Sequence, residues 1–207
     1  HKSECQRLNF LRQQKHQASG RFIRCLSVFI APTSTGHKDH IGLFAVTAGL
    51  GIENKLAEFE RVHDDYASIM LKALADRLAE ALAEHTHRRV RKTIWAYDPD
   101  ESLDNQALIN EEYSGIRPAP GYPACPDHSE KRKIFDLLDA EKNSKMELTS
   151  GYAMLPAASV SGYYFAHPQS RYFVLGNIEE DQLLDYAKRK NISPDEARRL
   201  LVANINL

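Results

Sequence analysis

The chain has 207 residues, 43% of them hydrophobic and 27% charged, which suits one large core or two small ones and excludes intrinsic disorder. Its net charge of −1 argues against a general nucleic-acid footprint, and no apolar run reaches the roughly 18 residues of a membrane-spanning helix. Three cysteines, Cys5, Cys25 and Cys125, are too few and too scattered for a disulfide framework and fit a reducing, cytoplasmic setting.

There is no secretory segment at the start, and His1 in place of Met reads as the beginning of a piece of a longer polypeptide. Residues 1–20 are polar, with an amphipathic hint at Leu8, Phe10 and Leu11. Residues 22–30 are rich in β-branched and aromatic side chains and predict a strand. A second strand is predicted over 41–47, closed by Gly49 and Gly51.

From Glu53 to about Trp95 there is no Pro or Gly, and helix formers dominate. Tyr66, Ile69, Met70, Ala73, Leu74, Leu78, Ala81 and Leu82 recur at helical spacing on one side, and Lys72, Asp76, Glu80 and Glu84 on another. His63, Asp64 and Asp65 compete for backbone hydrogen bonds and predict a bend between two helices. Residues 98–100 form a turn and 105–112 a short helix.

Between residues 118 and 126 stand four prolines, Pro118, Pro120, Pro123 and Pro126. Each lacks a backbone donor, so the stretch predicts a rigid extended loop. Asp127 then caps a helix running to about Lys142, with Glu130 in the capping-box position. Residues 146–177 alternate and predict two or three antiparallel strands. Residues 180–190 form a helix, and Ser193 caps another with Glu196 three residues on. Strands early and late around a helical middle give an α+β class. The sheet is expected to be antiparallel and built from segments near 22–30, 41–47 and 146–177, with the long helices packed on it.

The proline loop is the most informative stretch. It can present the Arg117 guanidinium, backbone groups and the Tyr122 ring to a ligand with little loss of freedom, and Gly121 permits close approach. A structural crossover is the plainer alternative. The acidic stripe with Asp76 and Glu80 suits a cationic partner or an ordinary solvated face. Residues 159–165 and 171–173 form an aromatic surface that serves either as a wet strand face or as a wall for a flat or cationic ligand. His85 and His87, two apart on a helix, point to different faces, and Cys125–His128 lacks a second pair at zinc spacing, so no metal site is expected. A Cys125–His128 nucleophile pair, as in an unrelated hydrolase, lacks a nameable orienting group. No catalytic residue is assigned.

The run Arg-Pro-Ala-Pro-Gly-Tyr-Pro-Ala-Cys-Pro-Asp-His from Arg117 to His128, continued to Lys131, closely resembles the hallmark loop of the activation domain of cobalamin-dependent methionine synthase. Residues 39–47, 63–80 and 159–168 resemble that family in the same order, as do Asp181, Gln182 and 186–190. The resemblance covers essentially the whole chain, 1–207, as one activation domain. It lacks an N-terminal arm that supplies a further carboxylate in the family.

The resemblance implies a role in methionine biosynthesis. The whole enzyme is a methyltransferase that moves a methyl group from methyltetrahydrofolate to homocysteine through cobalamin. The activation domain binds S-adenosylmethionine. It docks on the cobalamin-binding domain and, with one electron from flavodoxin or a flavoprotein reductase, restores methylcobalamin. Zinc belongs to the full enzyme only. By the same resemblance Arg117 pairs the ligand carboxylate, a job for a planar fork of donors. Ala119, Gly121 and Tyr122 line adenosine and ribose, Tyr172 and Phe173 stand at the ligand, and Glu111 meets the ammonium. Asp76 and Glu80 face the cobalamin domain. The alternative is a docking module for a flavoprotein or cobalamin domain that binds no ligand.

Overall fold

A computed structural model of the chain describes residues 5–14 and 22–205. In chain order the elements are β1 (Gly42–Thr47), α1 (Glu53–Arg61), α2 (Asp65–Arg89), α3 (Asn105–Ile109), α4 (Glu130–Leu138) and α5 (Ala140–Ser144). Then come β2 (Glu147–Leu148), β3 (Met154–Leu155), β4 (Ser159–Tyr164), α6 (Glu180–Lys190) and α7 (Pro194–Leu200). Two units divide them: one from the stretches His1–Gly42, Tyr113–Lys133 and Tyr163–Leu207, the other from Leu43–Glu112 and Ile134–Gly162.

The α+β class holds. β1 pairs with β4, and β2 pairs antiparallel with β3, placing Glu147 opposite Leu155 and Leu148 opposite Met154. At the end of β1, Ala48 N–H donates to Ala158 C=O, just before β4 begins, so these strands also run in opposite directions.

The strand expected over 22–30 is not formed. The segment gives one isolated bridge, Arg12 to Cys25, and then a 3-10 turn over Leu26–Phe29. Leu26 and Phe29 are both buried. Positions three apart share a side of a 3-10 turn but fall on opposite faces of a strand, so burying both selects the turn.

In the Leu43–Glu112 and Ile134–Gly162 unit the expected bend is present. α1 ends at Arg61, His63 takes a left-handed φ of 56°, and the Asp64 carboxylate accepts the Ala67 N–H at 2.9 Å to start α2. Asp64→Ala should cost about 1 kcal/mol of stability, the usual worth of an N-cap, read as a lowered urea midpoint with an unchanged slope.

α2 packs through its smaller residues. Ala75 and Ala79 cluster with Ala158, Ala48 and Val160, so the helix lies close over the β1–β4 pair. The larger apolar stripe, Tyr66, Ile69, Leu74 and Leu78 among it, is exposed. Alanines permit an approach that leucines on the same face would prevent. The helix then closes with a π turn over Val90–Ile94, where Trp95 N–H reaches Val90 C=O at 3.0 Å. Arg91 on that turn is fully buried and paired with Glu101. His87 is buried with Nε2 3.1 Å from Tyr97 OH, whereas His85 is exposed.

In the other unit, Leu11, Leu175, Ile178, Leu183, Tyr186 and Leu201 form a core that binds α6 to α7. The Ser193 hydroxyl accepts the Glu196 N–H at 3.1 Å and starts α7 as its sequence predicts. The helix expected from Asp127 to Lys142 begins only at Glu130 and breaks after Leu138, where Asp139 takes a left-handed φ of 48°. Nor does Glu130 act as a capping-box partner of Asp127. Its carboxylate accepts instead from the Asn9 backbone, Lys133 and Lys190. Three donors on a buried carboxylate outweigh one backbone N–H.

Candidate functional site: the proline loop

The loop lies wholly in the unit that contains α6 and α7. Ile116 and Phe165 exchange both backbone hydrogen bonds at 3.0 Å, and Tyr163 N–H donates to Pro118 C=O at 2.9 Å. Pro118 needs no donor of its own there, so a proline is tolerated beside this short ladder. Farther on, Tyr122 N–H reaches Ala119 C=O at 3.2 Å, Cys125 N–H reaches Tyr122 C=O at 2.9 Å, and Gly121 N–H reaches Cys125 C=O at 2.7 Å. Gly121 holds φ +96°, which a residue with a Cβ rarely adopts. Three of the N–H groups left between its prolines, those of Gly121, Tyr122 and Cys125, are committed inside the loop, which stiffens it and folds it into tight turns instead of the extended run expected.

The segment after β4 closes on the loop. Leu175 N–H donates to Pro123 C=O at 2.9 Å, and Arg117 N–H donates to Tyr172 OH at 3.0 Å. The arginine and the tyrosine, 55 residues apart in sequence, therefore meet. Arg117 is half-buried, with its Nε shielded from solvent. Ala119 and Gly121 are half-buried, Tyr122 and Tyr172 are exposed, and Phe173 is buried beside them in sequence. Glu111, Asp76 and Glu80 belong to the other unit and are all exposed, the first at a left-handed φ of 57° and the other two on α2.

What fixes the far end of the loop is a buried polar cluster. Asp127 accepts from Ser129, from Tyr186 OH at 2.6 Å and from Lys190 Nζ at 2.6 Å, and Lys190 also reaches Glu130 at 2.8 Å. Burial pushes the Asp127 carboxyl up, but the Lys190 ammonium and the hydrogen bonds from Lys190, Tyr186 and Ser129 outweigh it and hold the group below its ordinary 3.8. Burial likewise pulls the Lys190 ammonium down, and Asp127 and Glu130 outweigh that, raising it above 10.5. Sequence reading missed this cluster. Lys190 lies on α6, 63 residues from Asp127, and only folding joins them.

Cys125 is no activated thiol. It is buried, and desolvation, with Glu130 and Asp127 nearby, pushes it well above its ordinary range. Among the described residues no three His, Cys, Asp or Glu side chains are grouped to hold a metal ion, and no helix is long and apolar enough to cross a membrane.

Residues 1–191 match the family described as vitamin B12 dependent methionine synthase, activation domain. A crystal structure of the MetH reactivation domain bound to AdoHcy superimposes with a TM-score of 0.93 at 53% sequence identity, covering 96% of this chain. The chain spans 61% of the length of that solved chain.

Proposed function

Since the chain belongs to the activation-domain family of vitamin B12-dependent methionine synthases, we propose that its proline loop and the 171–173 segment bind S-adenosylmethionine for reactivation of that enzyme. The observation that carries this reading is the meeting of Arg117 with Tyr172 at 3.0 Å, which joins the two segments expected to hold the ligand. The relative at 53% identity is described as bound to AdoHcy, the product left when S-adenosylmethionine gives up its methyl group.

The residues suit the ligand's parts. The Arg117 guanidinium offers parallel donors to a carboxylate, and partial burial strengthens that pairing. The rigid backbone from Ala119 to Tyr122 offers carbonyls and a glycine-permitted approach to adenosine and ribose, with Phe173 and Tyr172 as aromatic neighbours. Asp76 and Glu80, exposed on α2, are proposed to face the cobalamin domain. The methyl acceptor, a cobalamin held by that other domain and reduced by one electron from flavodoxin or a flavoprotein reductase, lies outside this chain. The setting we propose is cytoplasmic, in keeping with the free Cys5, Cys25 and Cys125.

Titration calorimetry of the chain with S-adenosylmethionine and, separately, S-adenosylhomocysteine tests the reading. Saturable binding of both is expected, with a rise in melting temperature equivalent to about 2.7 kcal/mol at a hundredfold excess over Kd. No heat and no shift at millimolar ligand would refute it.

A further inference from the structure

The space above Gly121 is already taken. A Cβ built on that residue would lie 2.3 Å from His128 Cε1, 2.6 Å from Nδ1 and 2.8 Å from Nε2. The imidazole therefore stands where a side chain at Gly121 would stand, against the turn of the proline loop. Behind it, Lys131 Nζ lies 2.7 Å from His128 Nδ1, and Lys131 is 94% buried by its 6% residual exposure. An ammonium can only donate, so Nδ1 is the acceptor and the single ring proton sits on Nε2. A protonated ring has no acceptor to offer and would face Lys131 as a second cation.

We propose that His128 is a positioning residue for the ligand loop: its ring, held at Nδ1 by Lys131, packs on Gly121 and keeps the Ala119–Tyr122 backbone in the ligand-binding shape. The inference rests on the S-adenosylmethionine reading above and deepens it. The charged groups acting on the ring are Lys131, which disfavours its protonation, and Asp127, which favours it. The loop meets it with the backbone of Gly121, which carries no titratable group. Burial and then Lys131 prevail, so the ring titrates below its ordinary 6.5. The neutral-ring contribution is complete above that ordinary value and is lost as pH falls through the lower folded one.

The test is titration of the full chain with S-adenosylhomocysteine across the acid-to-neutral range, with thermal melts alongside. If the binding-competent loop falls to about a tenth of the population when the ring is protonated, affinity weakens about tenfold. The unsubstituted chain should show that weakening in acid. His128→Ala should bind about tenfold more weakly than the unsubstituted chain at neutral pH, show no acid limb and converge with it in acid, by the same population argument. His128→Phe should fill the space, recover most of the neutral-pH affinity and show a flat acid limb. Lys131→Met should move the acid limb to higher pH. Gly121→Ala should cost less affinity in the His128→Ala background than alone, because the ring it would strike is gone. Undiminished affinity in His128→Ala overturns the inference. So does a His128→Phe variant that keeps the acid limb or binds no better than His128→Ala. If His128→Ala fails to fold, the His128→Phe profile decides. No binding by the unsubstituted chain removes the underlying reading and this inference with it. Binding lost in Arg117→Ala but retained in His128→Ala removes this inference alone.

Discussion

Arg117→Ala is expected to weaken S-adenosylmethionine binding far more than it weakens folding. A charge-assisted, two-pronged pair with a ligand carboxylate is worth roughly 2 to 5 kcal/mol when partly desolvated, and truncation leaves the carboxylate unpaired. At about 1.4 kcal/mol per decade, the loss is tens-fold to thousands-fold. The loop's own anchors survive the change. The bond from residue 117 to Tyr172 OH comes from the backbone N–H, and the ladder to Phe165 is also main chain. The melting temperature should therefore move by only a few degrees. Arg117→Lys should restore part of the affinity, because an ammonium cannot form two parallel hydrogen bonds. Calorimetry on the three chains checks this: equal affinity in the alanine variant takes Arg117 out of the site, and a collapsed melting temperature makes it structural.

Lys190→Met should have the largest effect on stability. The methionine keeps most of the volume but leaves Asp127 and Glu130, with side chains 1% and 0% exposed, without their shared cation. Breaking a buried pair in this way costs about 3 to 5 kcal/mol, which for a chain of this size lowers Tm by roughly 6 to 20 °C. The sign with pH is fixed by both partners. Asp127 titrates below its ordinary 3.8, so its contribution is present above that value and is lost as pH falls through the lower folded one. Lys190 titrates above 10.5, so its contribution is present below that value and is lost as pH rises through the higher folded one. The deficit of the variant should hold across neutral pH and narrow in acid, where Asp127 takes up a proton. A deficit that is flat into acid would assign the loss to packing instead.

Much of the secondary structure is written locally. Residues 180–190 are helical as read, since charged and apolar side chains alternate there at helical spacing with no breaker. His63 and Asp64 divide the long helical run, because a capping carboxylate acts on a neighbour three residues away. The prolines keep the loop out of helix and sheet, as their missing donors require, but it does not run extended: it folds into tight turns at Ala119–Tyr122 and Tyr122–Cys125. Where two local outcomes were both open, burial decided. Residues 22–30 have strand composition, yet burying Leu26 together with Phe29 turned them into a 3-10 turn. Apolar spacing on α2 marked out a stripe but not which face would be covered. The strand pair beneath accepted Ala75 and Ala79 and left the larger side chains outside.

The candidate site shows the same division. The identity of Arg117, Gly121 and Tyr122, and the stiffness of the loop that carries them, follow from the sequence, because rotamer, charge and backbone freedom are properties of single residues and their neighbours. That Arg117 meets Tyr172, that His128 fills the space over Gly121, and that Asp127 is bound by Lys190 rather than serving as a helix cap were decided only by tertiary structure. Each depends on contacts across a turn or across 55 to 63 residues of chain, whose pairing is set by which groups are buried together and must satisfy one another there.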